Sequence, residues 1–267
     1  MGVQILCDSR CDLTATERMS SLFQKVPATW TLGERPLTDH KALGAGEILE
    51  AVAAGAAIRE AYPGARAYRE AMGDGEIYIV TASAALCGQY EAASQARRLA
   101  LGDHPGQPIH VFNTRSFSVG QLLAARRICQ LQRSGYSFRQ IVERVESEIL
   151  STRLFLLAPS PERLLQWGGL TRRQRPRPLY TMNLEGRLVR AGGALTDKGA
   201  EKRLAEAVAR SDGPGKTCLL AHCGCPERAR RVAQLLREQQ RFSSILLTEA
   251  GAATALLLGP GGLALSF

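Results

Sequence analysis

Histidine is scarce in this chain. Its four copies, His40, His104, His110 and His222, are too widely spread for a Ser–His–Asp or Cys–His constellation to be assembled from the sequence. The common nucleotide and hydrolase signatures are missing as well: there is no Gly-x-Gly-x-x-Gly, no Gly-x-Ser-x-Gly and no His-Glu-x-x-His. Gly213-Pro214-Gly215-Lys216-Thr217 resembles the end of a phosphate-binding loop. Arg210 stands where the leading glycine belongs, however, and the segment precedes a strand pattern instead of following one. Long apolar runs are also lacking. None approaches the roughly 18 residues of a membrane span, and the longest, Ala252 to Leu258, has the length of a strand or short helix before Gly259-Pro260-Gly261.

The opening apolar run, Val3 to Cys7, is too short for a secretory leader, and Asp8 follows at once. Gly2 lacks the Ser or Thr that myristoylation wants, because Leu6 stands there. The expectation is a cytoplasmic protein with no integral membrane segment. The seven cysteines are then an odd number of thiols, not a disulfide framework. Neither Cys7 with Cys11 nor Cys223 with Cys225 has Cys-x-x-Cys spacing, so no metal and no other cofactor is expected.

What the chain does have is ordinary globular composition and a strong excess of arginine. Hydrophobic residues make up 45% of its 267 positions, enough for a sizeable core. Part of the net charge of +9 is concentrated in Thr171 to Pro178, which carries Arg172, Arg173, Arg175 and Arg177. That segment is either a solvated loop or a docking patch for an acidic partner. No helix–turn–helix, zinc finger or aromatic-rich RNA motif accompanies it, so no nucleic-acid partner is expected.

Through the first half the pattern is strand, polar turn, helix, repeated. Strands are expected at Val3–Cys7, Val26–Leu32, Glu76–Thr81 and Pro108–Phe112. Helices are expected at Leu43–Ala57, Ala85–Leu101, Leu122–Arg133 and Phe138–Leu150, the last capped by Ser137. This is the rhythm of a parallel sheet with helical crossovers. After Arg153 it changes. Leu154–Leu157 reads as a strand, Glu162–Trp167 as a short helix, and Leu179–Asn183 with Arg187–Arg190 as a hairpin. Helices Lys198–Ala209 and Pro226–Gln239 flank a strand at Thr217–Ala221, with further strands at Ser244–Thr248 and Leu263–Phe267. The fold class is therefore α/β: a Rossmann-like parallel sheet with flanking helices in residues 1–152, and an α+β domain with a mixed, largely antiparallel sheet in 153–267. A ligand cleft is expected between them.

Several polar segments at strand ends are specific in combination. Ile5-Leu6-Cys7-Asp8-Ser9-Arg10-Cys11-Asp12-Leu13 resembles the opening of DegV-family proteins. Ser83-Ala84-Ala85-Leu86-Cys87-Gly88-Gln89-Tyr90 is similar to that family's Ser-Ser-x-Leu-Ser-Gly-Thr-Tyr, and Asn113-Thr114-Arg115-Ser116-Phe117-Ser118-Val119-Gly120 to its Asp-Ser-Arg-x-x-Ser-x-Gly. Arg153-Leu154-Phe155, Gly168-Gly169 and Leu258-Gly259-Pro260-Gly261-Gly262-Leu263 follow in the same order. The resemblance spans the chain. It implies a bacterial two-domain protein that binds a long-chain fatty acid or related amphiphile between its domains, without catalysis, and that in some bacteria presents it to a fatty-acid kinase.

The implied ligand-binding residues are Ser83, Cys87, Gly88, Arg115, Ser116, Arg153, Glu60 and Leu257. Three of them depart from the family pattern. Glu60 stands where a carboxylate-binding threonine is implied, Leu257 where a histidine is, and Cys87 where a serine is; Leu170 also replaces the arginine of Gly-Gly-Arg. A glutamate facing an anionic head group would repel it. Either Ser83, Arg115 or Arg153 supplies replacement donors, or the ligand is a different amphiphile. Duller roles are available. Asp8 and Asp12 can cap the first helix, Ser83 can cap the next, Arg115 and Ser116 can brace a loop, and Arg153 can pair with an acid across the interface. An enzyme using Cys87 as nucleophile, with its thiol activated at a helix N-terminus, is the alternative from another class.

Overall fold

The computed structural model describes residues 2–38, 44–159, 161–170, 177–211, 217–239 and 241–267. Its first half runs β1 (Val3–Cys7), α1 (Ala15–Met19), β2 (Phe23–Lys25), β3 (Thr29–Leu32), β4 (Arg35–Thr38), α2 (Ala45–Ala53), β5 (Ile58–Ala61), α3 (Ala65–Ala71) and β6 (Glu76–Thr81). It continues with α4 (Gln89–Asp103), β7 (Ile109–Asn113), α5 (Val119–Arg133) and α6 (Phe138–Ser151). The second half runs β8 (Leu154–Leu157), α7 (Glu162–Trp167), β9 (Arg177–Met182), β10 (Leu188–Ala194), α8 (Asp197–Arg210) and β11 (Thr217–His222). It ends with α9 (Pro226–Glu238), β12 (Ser244–Glu249), α10 (Ala252–Leu258) and β13 (Leu263–Ser266).

The strands form a four-stranded sheet in the order β2-β1-β6-β7, all parallel, and a six-stranded sheet in the order β10-β9-β8-β13-β11-β12. In the second, only β11 and β12 are parallel; the other neighbours are antiparallel. This is the expected α/β class with its mixed, largely antiparallel second sheet.

Side-chain alternation explains why both sheets are buried on both faces. From the first, Ile5, Cys7, Tyr78 and Val80 point into a central apolar cluster, while Leu6, Ile77 and Ile79 point the other way onto α3 and α4. From the second, Leu154, Leu156, Leu219, Ala221 and Ala264 join the same central cluster, while Phe155, Leu157, Cys218, Leu220 and Leu265 pack under α8 and α9. Helix α5 lies between the sheets and touches β1, β6, β11 and β13. Nine of its residues are buried, Gln121 among them. Each large aliphatic side chain so buried is worth about 1.5–3 kcal/mol, which ties the two sheets into one core.

Three expected elements differ, each for a local reason. The strand expected over Val26–Leu32 is broken: Val26 N–H still reaches Cys7 O at 2.8 Å, but Pro27 has no amide to continue the ladder. β3 instead forms a separate antiparallel sheet, β4-β3-β5. The helix expected from Ala85 starts at Gln89, because Leu86 and Cys87 turn back onto Ser83 O (3.0 and 3.3 Å). The helix expected over Leu43–Ala57 spans Ala45–Ala53 and ends before Gly55, whose φ is +69°. Leu43 and the arginine-bearing segment 171–176 lie outside the described residues. Ser137 caps α6 reciprocally with Gln140, as expected.

Gly75 enters β6 at φ +94°, where a Cβ would sit 2.2 Å from Gly2 O. Gly106 has nearly the same φ, +95°, with nothing within 4 Å. Gly106→Ala is expected to cost about 1–2 kcal/mol from backbone strain alone, and Gly75→Ala about 2–3 kcal/mol more. Urea denaturation midpoints of the two variants check this ordering.

Candidate functional site

In the parallel sheet the chain leaves β1 toward β2 on one side, while β6 and β7 extend the sheet on the other. The crevice beyond the carboxyl ends of β1 and β6 is therefore the topological switch point, where open α/β sheets hold their ligands. Residues 8–13 after β1 and 82–88 after β6 meet there.

Two buried carboxylates fix the frame. Asp8 accepts hydrogen bonds from the amides of Arg10 (2.8 Å) and Ala82 (2.6 Å) and from Gln121 Nε2 (2.9 Å). Asp12 accepts from Ser118 Oγ, from the amide of Gly251 (2.9 Å) and from Thr254 Oγ1 (3.0 Å). Burial raises the pKa of both, against the lowering effect of those donors. They do not cap α1, whose N-cap is Thr14. They instead tie the first loop to the second, to α5 and to α10. Ser118 is held at φ +58° and Arg115 at φ +50°. For non-glycine residues such angles store of order 1–3 kcal/mol each and need a surrounding network to hold them.

Within that frame lies Arg10, which sequence reasoning missed. Its side chain is 1% exposed. Nη2 donates to Glu60 Oε2 and to the Tyr62 hydroxyl (2.5 Å), and Nη1 donates to Ala253 O (3.4 Å). The guanidinium lies 4.8 Å from the centre of the Trp167 ring and 5.1 Å from that of Tyr62. Burial works against its charge, but Glu60, then Tyr62 and Cys87, more than offset this and raise its pKa. Nε is buried and donates to no group among the described residues, and the same holds for Trp167 Nε1. Two unspent donors so deeply buried point to a missing acceptor.

Glu60 is thus not simply repulsive, because its carboxylate, 7% exposed, is neutralised by Arg10. Cys87 is poorly suited to be a nucleophile: burial, then the charge of Asp8, pushes its thiol up to about 12. A thiol protonated at neutral pH has lost the activation the enzyme alternative needed. Gly88 is the N-cap of α4, and a Cβ on it would meet nothing within 4 Å. Leu257 is buried in α10, the helix whose Ala253 carbonyl meets Arg10.

The remaining predicted residues gather at the hairpin of β9 and β10. Ser83 Oγ donates to Gly186 O (2.7 Å), so it locks a loop to the hairpin and does not cap α4. Arg115 Nη1 donates to Leu184 O (2.8 Å). Arg115, Ser116 and Arg153 line one cavity of about 320 Å³ with Met182 and Leu184. Arg153 donates to the carbonyls of Leu150 and Thr152, and no acid pairs with it among the described residues. No cluster of three or more His, Cys, Asp or Glu able to hold a metal occurs among the described residues.

The sequence profile of the DegV family, described as uncharacterised proteins, matches residues 2–267. The chain belongs to the DegV family. A DegV domain-containing protein of Streptococcus gordonii is 28% identical over 176 residues, covering 64% of this chain and 63% of that relative. A DegV-family protein of Ruminococcus gnavus, refined with vaccenic acid, has a TM-score of 0.94 at 26% identity, over 100% of this chain and 99% of that one. The fatty acid kinase (Fak) B3 protein of Streptococcus pneumoniae, loaded with linoleic acid, has a TM-score of 0.91 at 22% identity, over 100% and 99%. In this DegV chain, an arginine in the Asp-Ser-x-x-Asp opening was the signal available for finding Arg10.

Two outcomes follow from this geometry. Alkylation of Cys87 by iodoacetamide at about pH 8 is expected to be slower than that of a free thiol, accelerating only as the pH approaches the raised value; peptide mapping by mass reads it. Asp12→Ala, which strands three donors, is expected to destabilise the fold by about 2–4 kcal/mol in urea titrations.

Proposed function

We propose that this protein binds a long-chain fatty acid or closely related amphiphile between its two sheets, carries it unaltered, and presents it to a fatty-acid kinase. Residues 1–152 and 153–267 serve as the two lobes around the ligand. The observation that carries this reading is the buried guanidinium of Arg10, with an unspent Nε, set against Trp167 beside an apolar interior. Such a site suits a molecule with one polar end and a long apolar remainder. The family membership, and relatives described with vaccenic and linoleic acids, support the same class of ligand.

In this reading Arg10 takes over the task left open by Leu170 and Leu257, which stand where the family pattern implies an arginine and a histidine. Trp167 supplies a flat wall and a second donor. Half-buried apolar side chains that pack against the central cluster, such as Leu49, Val52 and Ile58, are available to the acyl chain. Cys87 and Gly88 line the approach as small groups. Ser83, Arg115, Ser116 and Arg153 hold the lobes in register from the hairpin side.

The test is native mass spectrometry of gently purified protein, followed by solvent extraction. One fatty acid per chain is expected. Arg10→Leu is expected to weaken fatty-acid binding by about 10- to 100-fold, the worth of one buried charge-assisted hydrogen bond. Unchanged affinity in that variant, or a wild-type protein that neither retains nor takes up a fatty acid, contradicts the reading.

A further inference from the structure

The two edges of the six-stranded sheet differ in kind. β10 closes one of them with a register shift between Arg190 and Gly192, glycines at φ +150° and +157°, and the exposed side chain of Arg190. A bulge and a charge are devices that stop a sheet from adding another strand. β12, with the sequence Ser-Ile-Leu-Leu-Thr-Glu, closes the other edge without a bulge, a proline or a basic residue. Leu246 and Leu247, each 39% exposed, are the only exposed large apolar side chains carried by a strand among the described residues. We propose that β12 is a self-association edge, which pairs antiparallel with β12 of a second copy of this chain about a two-fold axis at Leu246.

The backbone decides which groups are on offer. His222 pairs with Glu249, and the Ala250 amide donates to His222 O at 2.9 Å. Successive residues of a strand direct their amide and carbonyl to opposite edges. Those of Ser244, Leu246 and Thr248 therefore face β11, and those of Ile245, Leu247 and Glu249 face outward. Among the described residues the outward amides have no partner, nor do the carbonyls of Ile245 and Leu247; Glu249 O accepts only from the Thr248 hydroxyl (3.2 Å).

The same strand is its own complement. A two-fold axis normal to the sheet keeps the faces of both copies aligned. Centred on Leu246, it sets Ser244 against Thr248, Ile245 against Leu247 and Leu246 against itself, polar on polar and apolar on apolar. Each Ile245–Leu247 pair then exchanges both N–H···O bonds. Centred on Leu247 instead, the axis would set Ile245 against the Glu249 carboxylate. Charge follows the favoured register. Glu249 is exposed and forms no ion pair among the described residues. Antiparallel pairing carries it to the end of the opposite strand that follows Arg241, so each copy brings a carboxylate to the other's guanidinium.

A groove of about 860 Å³ between α5, α6 and the sheet has Leu246 in its wall, with Leu123, Val145, Ile149 and Phe267. The axis brings the second copy's Leu246 to its mouth. A strand of this length spans about 20 Å, and with the groove mouth covered the contact lies near the lower limit of about 1,200 Å² for a specific interface. The dimer is accordingly reversible, with a dissociation constant of order 10 µM.

Sedimentation velocity of the full chain from about 1 µM to about 200 µM is expected to show monomer giving way to dimer. Leu246→Lys sets like charges face to face at the axis and is expected to weaken the dimer about tenfold or more, with thermal unfolding unchanged. Leu246→Cys tests the register without a new charge. Its two Cα atoms would lie about 4.5 Å apart, within disulfide range. Oxidised glutathione is therefore expected to cross-link that variant, but neither the wild type nor Leu247→Cys, whose partner across the seam is Ile245. A wild-type chain that stays monomeric throughout overturns the inference. So does a dimer that Leu246→Lys leaves intact, or a Leu246→Cys variant that cross-links no more than Leu247→Cys.

Discussion

Burying a guanidinium constrains everything around it, because arginine cannot shed its charge as a buried lysine or histidine can. At the switch point of the parallel sheet, Arg10 is compensated by the Glu60 carboxylate, the Tyr62 hydroxyl, the Ala253 carbonyl and two aromatic faces. These groups come from β5 and the residues just after it, from α10 and from α7. One side chain thus gathers pieces of the small antiparallel sheet and of both halves of the chain. Removing its charge would break a buried ion pair with Glu60, a change that typically costs about 3–5 kcal/mol.

The carboxylates of Asp8 and Asp12 make that burial possible. Each spends its oxygens on three donors, all but the Arg10 amide drawn from distant parts of the chain, and so holds the loop carrying Arg10 against β6, α5 and α10. The positive-φ backbone of Ser118 is maintained by the same web, since Ser118 gives its hydroxyl to Asp12 and its amide to Arg10 O; that of Arg115 is held by Asn113 Oδ1 and Leu184 O. The polar network organises the crevice, while the apolar cluster shared by the two sheets supplies most of the stability. The site is consequently rigid at its polar end.

Much of the fold was legible in the sequence. Alternating apolar strands such as Glu76–Thr81 and Leu154–Leu157, and the Ser137 cap, carry local signals that survive without tertiary information. The elements that escaped were α1, α3 and the β4-β3-β5 sheet. They are four to seven residues long, too short to show a period, and are held mainly by what they pack against. The candidate site was legible only as motifs. Ser83, Cys87, Arg115 and Arg153 were implied by the family resemblance, and the structure places Cys87 near Arg10 and the other three on the hairpin side. Arg10 itself was passed over because it lies within the opening motif and only becomes notable once its burial is known. Glu60 was read as a repulsive charge for the same reason. Sequence lists a charge but not its partner, and the Arg10–Glu60 pair spans 50 residues.

The central claim is that Arg10 anchors the polar end of the ligand. Its most direct test is a crystal structure of the protein grown with a long-chain fatty acid. The account predicts the carboxyl group within hydrogen-bonding distance of Arg10 Nε and the acyl chain running away from Trp167 into the space between the sheets. A carboxyl group seated instead at Arg115 and Arg153, beside the hairpin of β9 and β10, would contradict it and assign the buried Arg10–Glu60 pair a purely structural role.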